Sequence, residues 1–206
     1  MTTVPDRSGF ESMYAGQAPW DIGRPQKAFL DVADRISGSV LDAGCGTGDT
    51  AIFLAGRGCQ VTGIDFIEEA IRRAQGKAAE RGLQVTFFVK DALTLRDWSE
   101  RFDKVIDCGL FHGFSDEARR RYVEGLATVL KPGGRLFLAC LSDEEPGTQG
   151  PRRVSKDELH AVFAEGWCIE SIEPSRFEVR PDLKDLNFSE GGPRGWFVVV
   201  RRGREG

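Results

Sequence analysis

Val40-Leu41-Asp42-Ala43-Gly44-Cys45-Gly46-Thr47-Gly48 decides the fold of this chain. An apolar run suited to a strand leads into three glycines at alternate positions, and Thr47 to Arg57 then reads as a helix. Glycines so placed let a tight strand-to-helix turn bring backbone N–H groups close to a ligand. Working outward, short apolar runs and helical patterns alternate along the chain, which predicts an α/β fold with a mostly parallel sheet.

Downstream strands are expected at Gln60 to Ile64, Val85 to Val89 and Lys104 to Cys108. Between them Glu68 to Arg81 places Ala70, Ile71, Ala74 and Ala78 on one helical side, and Gly82 stops it. Ser115 caps a helix reaching Leu130. Lys131-Pro132-Gly133-Gly134 reads as a turn, followed by Arg135 to Leu141 as a strand buried on both faces. Ser155 and Glu158 have capping-box spacing, predicting a helix to about Ala164. Cys168 to Val179 and Trp196 to Arg202 form an expected antiparallel pair at the sheet edge, joined by a polar loop with Pro181, Gly191, Gly192 and Pro193. Upstream, Pro25 suits the first turn of a helix whose Phe29, Val32, Ala33 and Ile36 share one face. The expected organisation is a leader over residues 1–24 and one domain over 25–206.

A net charge of −4 gives no basic field for a polyanion, so nucleic acid is not an expected partner. Five scattered cysteines with no C-x-x-C pair argue against a disulfide framework or zinc ribbon and fit a reducing cytoplasm. Met1 to Gly16 lacks the pattern of a signal peptide, and no apolar run is long enough for a membrane span. Arg72-Arg73, Arg119-Arg120-Arg121 and Arg201-Arg202 read as solvated faces, balanced by acids.

The glycine turn departs from G-x-G-x-x-G because its third glycine comes one residue early and Asp42 precedes it. A carboxylate there opposes a pyrophosphate but favours S-adenosyl-L-methionine, which carries an ammonium and a sulfonium and no phosphate. Asp65, ending the second strand, stands where an acid accepts ribose hydroxyls, and Asp91-Ala92 stands where adenine would be read. Both aspartates equally suit ordinary turns.

This block resembles the class I methyltransferase family. The resemblance spans Val40 to Leu141 and implies a Rossmann-like fold: a mostly parallel, seven-stranded sheet with an antiparallel edge hairpin and an N-terminal aromatic lid. Pro19-Trp20-Asp21-Ile22-Gly23-Arg24-Pro25-Gln26 is similar to the segment that covers the cofactor in the thiol, halide and thiopurine methyltransferase group. Asp107-Cys108-Gly109-Leu110-Phe111-His112 and Gly150-Pro151-Arg152-Arg153-Val154-Ser155 extend the likeness to bacterial heterocyclic toxin methyltransferases, which O-methylate 2-alkyl-1-hydroxyquinolin-4-ones. The resemblance implies a cofactor site of Trp20, Arg24, Asp42, Gly44, Gly46, Asp65, Phe66, Asp91, Ala92 and Cys108, and detoxification of a small aromatic heterocycle.

Phe10, Tyr14 and Trp20 supply the aromatic rings of the expected lid, Phe10 and Tyr14 also touching substrate. His112 lies past the carboxyl end of a strand and is the candidate base or orienting donor, whereas His160 is expected at the surface. Phe111 and Phe114 are candidate walls for a flat ring, with core packing as the alternative; Arg152 and Arg153 are candidates to attract an anionic acceptor. A thiol, halide or thiopurine acceptor, a metal-dependent catechol-type reaction using Asp91 and Asp107, and a non-catalytic cofactor-binding protein remain alternatives, with no metal the favoured reading. The oligomeric state is not legible.

Overall fold

The computed structural model describes residues 7–180 and 188–203. Residues 1–6 of the leader and 181–187 of the last connection, Pro181 among them, lie outside the described residues. Seven strands form one sheet: β1 (Ser39–Ala43), β2 (Gln60–Asp65), β3 (Thr86–Val89), β4 (Phe102–Cys108), β5 (Leu130–Leu141), β6 (Trp167–Arg176) and β7 (Arg194–Arg202). Their order is β3-β2-β1-β4-β5-β7-β6. The first five run parallel, and β7 is antiparallel to β5 and β6.

The helices are α1 (Arg7–Ala15), α2 (Lys27–Asp31), α3 (Asp49–Gly56), α4 (Glu68–Glu80), α5 (Asp116–Val129) and α6 (Lys156–Val162). Side chains along a strand alternate between faces. In β5, Leu136, Leu138 and Cys140 therefore enter one apolar layer with Tyr122 and Leu126 of α5 and Leu159 of α6. Phe137 and Ala139 enter the other, with Ala51 and Leu54 of α3 and Ile71 and Ala74 of α4. Leu136 to Leu141 are all buried, as a strand covered on both faces requires. Both expected caps form: Ser115 accepts from Ala118 N, and Ser155 and Glu158 make a complete capping box.

Two elements differ from the sequence reading. The upstream helix is split, with Val32 leaving helical geometry and a 3₁₀ turn following at Ala33–Arg35. It begins after Gln26, whose side chain is engaged on both backbone groups of Glu178, and Phe29 within it docks on Phe197. Lys131 to Gly134 is not a turn ahead of β5 but an excursion inside it. Leu130 still pairs with Phe102, and the ladder resumes with Arg135 opposite Lys104. Lys131 Nζ holds the excursion on Asp103 at 2.8 Å.

Candidate functional site

β1 lies between β2 and β4, so the chain leaves it toward one side and returns on the other, opening a crevice at its carboxyl end. The glycine turn fills that position. Gly44, Gly46 and Gly48 all have positive φ, at 70°, 52° and 81°, a region where a side chain is strained. Cys45 N donates to Ile64 O at 2.8 Å, and Gly46 N donates to Asp65 Oδ2 at 3.0 Å. Asp65 Oδ1 accepts from Ile67 N at 2.9 Å. The second-strand acid thus clamps the turn; each oxygen retains a further lone pair for a hydroxyl donor.

Asp42 is 2% exposed and its Oδ2 has no hydrogen-bond partner among the described residues. Burial, then Asp107, pushes its carboxyl up to about 8, opposed by the Ala51 N–H. The sequence reading treats this residue as a standing negative charge; burial makes the charge conditional on a cation arriving. A glycine cradle beside an unpartnered buried carboxyl oxygen fits the ammonium-bearing end of S-adenosyl-L-methionine. Asp91 is half committed, since its Oδ1 caps the following turn by accepting from Leu93 N at 2.8 Å. Ala92 beside it is buried, and Cys108 at the end of β4 is partly so.

The leader lies over the turn. Tyr14 is 4% exposed, and its hydroxyl oxygen stands 2.9 Å from where a Cβ on Gly46 would be. Phe10 meets Trp20 and Phe66 edge-on at 5.9 and 5.6 Å. Phe10 and Tyr14 are therefore grouped around the cofactor turn and Phe66, a place the sequence reading reserved partly for substrate. Arg73, read as a solvated face, donates to the carbonyls of Tyr14 and Gly16 at 2.8 Å each and pins the end of α1. Lys77 joins Thr47 and Asp49 at 2.7 and 2.9 Å and reaches Asp21 at 3.9 Å. Arg24 is held by Glu178 through two 2.9 Å bonds, so its guanidinium serves the leader's anchorage.

At the end of β4, His112 is 7% exposed and its Nδ1 accepts the Leu141 N–H at 2.9 Å. Burial, then the charges of Arg119 and Arg153, push its imidazole down to about 3. The ring is neutral, with its acceptor nitrogen taken, so the proton sits on Nε2. That nitrogen donates, so the arrangement suits an orienting donor rather than a base. Phe111 is no wall but core, fully buried, stacked on Phe163 at 5.9 Å and covered by the Arg119 guanidinium at 4.7 Å. Phe114 packs on Tyr122 at 5.2 Å and stays partly buried.

Arg152 and Arg153 do not await an anion. Arg152 is paired with Asp116 and Glu158, and Arg153 donates to the carbonyls of Glu145, Pro146, Gln149 and Pro151 in its own loop. Arg119, expected in solvent, is 3% exposed, donating to Phe111 O at 3.2 Å and Glu158 at 3.3 Å. His160 is exposed, as expected. Glu145 was missed: buried, it accepts from Ser189 N and Arg194 N at 3.0 and 2.8 Å and fixes the return into β7. Phe177 was also missed; its ring lies 5.8 Å from His112. Among the described residues no group of three His, Cys, Asp or Glu side chains is placed to hold a metal, and no helix is long and apolar enough to cross a membrane.

Residues 40–134 match a methyltransferase domain family. Over 196 residues the chain is 36% identical to a 2-heptyl-1-hydroxyquinolin-4(1H)-one methyltransferase of Mycobacteroides abscessus, covering 89% of this chain and 85% of that one. A probable thiol methyltransferase 2 of Arabidopsis thaliana is 29% identical over 158 residues, 74% of this chain and 70% of that one. A solved structure from work on the conversion of a disulfide bond into a thioacetal group during echinomycin biosynthesis is 36% identical, with a TM-score of 0.83 over 96% of this chain and 91% of that one. With the glycine cradle, the buried Asp42 and this sheet order, the chain belongs to the class I S-adenosyl-L-methionine-dependent methyltransferases and acts on a small-molecule methyl acceptor.

Proposed function

We propose that this enzyme O-methylates an aromatic N-hydroxy heterocycle of the 2-alkyl-1-hydroxyquinolin-4-one class. The observation that carries the reading is the His112 tautomer: a buried, neutral imidazole whose Nε2–H can steady an anion and whose Nδ1 is unavailable to take a proton. An N-hydroxy group on an electron-poor ring ionises readily and needs no base, whereas an unactivated phenol or amine does. The activity of the M. abscessus relative supports the same class.

S-adenosyl-L-methionine on the glycine turn supplies an electrophilic methyl group, whose transfer to an oxyanion forms an O–C bond, breaks an S–C bond and cancels both charges. Gly44, Gly46, Asp42, Asp65, Phe66, Asp91, Ala92 and Cys108 hold it in this reading, with Trp20 and Tyr14 above. The chain's own contribution is positioning and exclusion of water, which supply most of the rate in such a displacement. We assign residues 1–24 as the lid, 25–206 as the methyltransferase domain and the cytoplasm as its setting.

A sulfur acceptor is the second reading, favoured by the thiol methyltransferase relative and by the disulfide chemistry named for the solved structure. A thiolate is also an anion the same donor can meet. Incubating the pure enzyme and labelled cofactor with a hydroxyquinolinone, a thiopurine, a thiol and iodide separates them. The highest kcat/KM is expected with the hydroxyquinolinone; a preference for any other acceptor replaces the reading.

A further inference from the structure

We infer that Phe177 is the specificity-determining wall of the acceptor site and that Gln26, two residues past the leader, positions it. The inference rests on the aromatic-acceptor reading above. A Cβ placed on Gly109, the residue following β4, would stand 3.4 Å from His112 Nε2 and 3.9 Å from Phe177 Cε1. The one free donor of His112 and the edge of the Phe177 ring therefore border the same small space, one residue beyond Cys108.

Phe177 is only partly buried, although it packs on the apolar layer beneath β7. Its ring lies against Gly195, where a Cβ would come within 2.9 Å of a ring carbon, so glycine there leaves the ring its seat. Opposed to the His112 ring at 5.8 Å with an interplanar angle of 58°, it sets an apolar ring edge beside a hydrogen-bond donor. That pairing suits a flat bicyclic ring carrying an anionic oxygen, which an aromatic edge can meet edge-to-face, better than a small thiol or a halide, which has little surface to pack.

The backbone of this segment is held from both sides. Phe177 N donates to Pro193 O at 2.8 Å. The next residue, Glu178, donates its N–H to Gln26 Oε1 at 2.7 Å and accepts from Gln26 Nε2 at 2.9 Å, a two-point clasp across 152 positions of sequence. Arg24 adds the paired bonds to the Glu178 carboxylate, and Arg180 N reaches Pro19 O at 3.3 Å. The leader and the segment after β6 are thus tied together at three points, through Pro19, Arg24 and the adjoining Gln26.

The test is steady-state kinetics of the full chain with 2-heptyl-1-hydroxyquinolin-4-one and with a small alkyl thiol, alongside calorimetric cofactor affinity. Phe177→Ala is expected to raise KM for the bicyclic acceptor at least tenfold, with a loss at least five times that on the thiol and with cofactor Kd held within about threefold. Phe177→Tyr, which keeps the ring, is expected to restore the bicyclic KM. Gln26→Ala should raise the same KM, and the double variant should be no worse than Phe177→Ala alone. Equal losses on both acceptors, or an unchanged bicyclic KM, overturn the wall; strict additivity overturns the role of Gln26. A wild-type enzyme that methylates no bicyclic acceptor fails the functional reading itself, a result distinct from either.

Discussion

Trp20 donates its indole N–H to the Tyr14 hydroxyl at 3.2 Å, joining a ring that is 39% exposed to one that is 4% exposed. The leader is layered, with Tyr14 against Gly46 and Trp20 outside it. Trp20→Ala should therefore speed cofactor release and lower kcat/KM about tenfold, roughly 1.4 kcal/mol, without altering the fold. Stopped-flow dissociation of labelled cofactor reads the first effect directly. Wild-type release would remove Trp20 from the lid.

Cofactor affinity should depend on pH through Asp42. Its carboxyl is pushed up to about 8 by burial and then by Asp107, so below that pH the empty site holds a neutral acid. A cationic ligand prefers the carboxylate, so binding expels a proton and Kd weakens as pH falls from 9 to 6, approaching tenfold per unit. Asp42→Asn should abolish the slope. Calorimetry in two buffers of different ionisation enthalpy counts the released proton.

Asp107 carries the converse consequence for stability. Burial raises it to about 7, against the Leu110 and Phe111 N–H groups that donate to Oδ1. A folded-state value above the unfolded one means that this group favours folding fully at low pH, and that the contribution drains away between about 4 and 7, where the unfolded carboxyl ionises while the folded one still holds its proton. Asp107→Asn keeps the accepting oxygen and removes the titration. Its Tm relative to wild type should climb by a few degrees between pH 5 and pH 8, about 2–4 °C per kcal/mol. A pH-independent difference in scanning calorimetry would refute the assignment.

His112 should leave no trace in the pH–rate profile between 5 and 9, because its imidazole is held down to about 3 by burial and by Arg119 and Arg153. The ascending limb should follow the acceptor instead, moving when acceptors of different acidity are compared. His112→Gln retains a side-chain N–H and should keep more activity than His112→Ala, for which a loss of about 10²-fold is expected. An inflection near 6.5 that vanishes in His112→Ala would restore the base.

Arg119→Met tests the buried guanidinium between Phe111 and Glu158. Losing its hydrogen bonds to the Phe111 carbonyl and Glu158 should cost about 2–3 kcal/mol in urea unfolding. A surface arginine would cost almost nothing.

The strands, the helix caps and the glycine turn were legible because each is written locally, in periodicity, in Ser155 with Glu158, or in alternate glycines. What sequence could not show depends on partners far along the chain. Leu141 fixes the tautomer of His112 from 29 positions away, and Glu178 meets Gln26 across 152. Arg119 looked like its neighbours Arg120 and Arg121, yet one helical phase turns it inward while those two face outward. Phe177 gave one signal, an aromatic at the end of a β-rich run, which core packing explains equally well.

The position of β7 bears on how the molecule is made. It follows β6 in sequence yet lies between β5 and β6, and among the described residues β6 has no other neighbour in the sheet. A chain ending at Arg176 would present β5 as a raw edge, with Phe137 and Leu138 lacking their cross-strand partners Val199 and Val198, and β6 without its ladder partner. This sheet is therefore complete only once the segment bearing Trp196 and the buried valines Val198, Val199 and Val200 lies between β5 and β6.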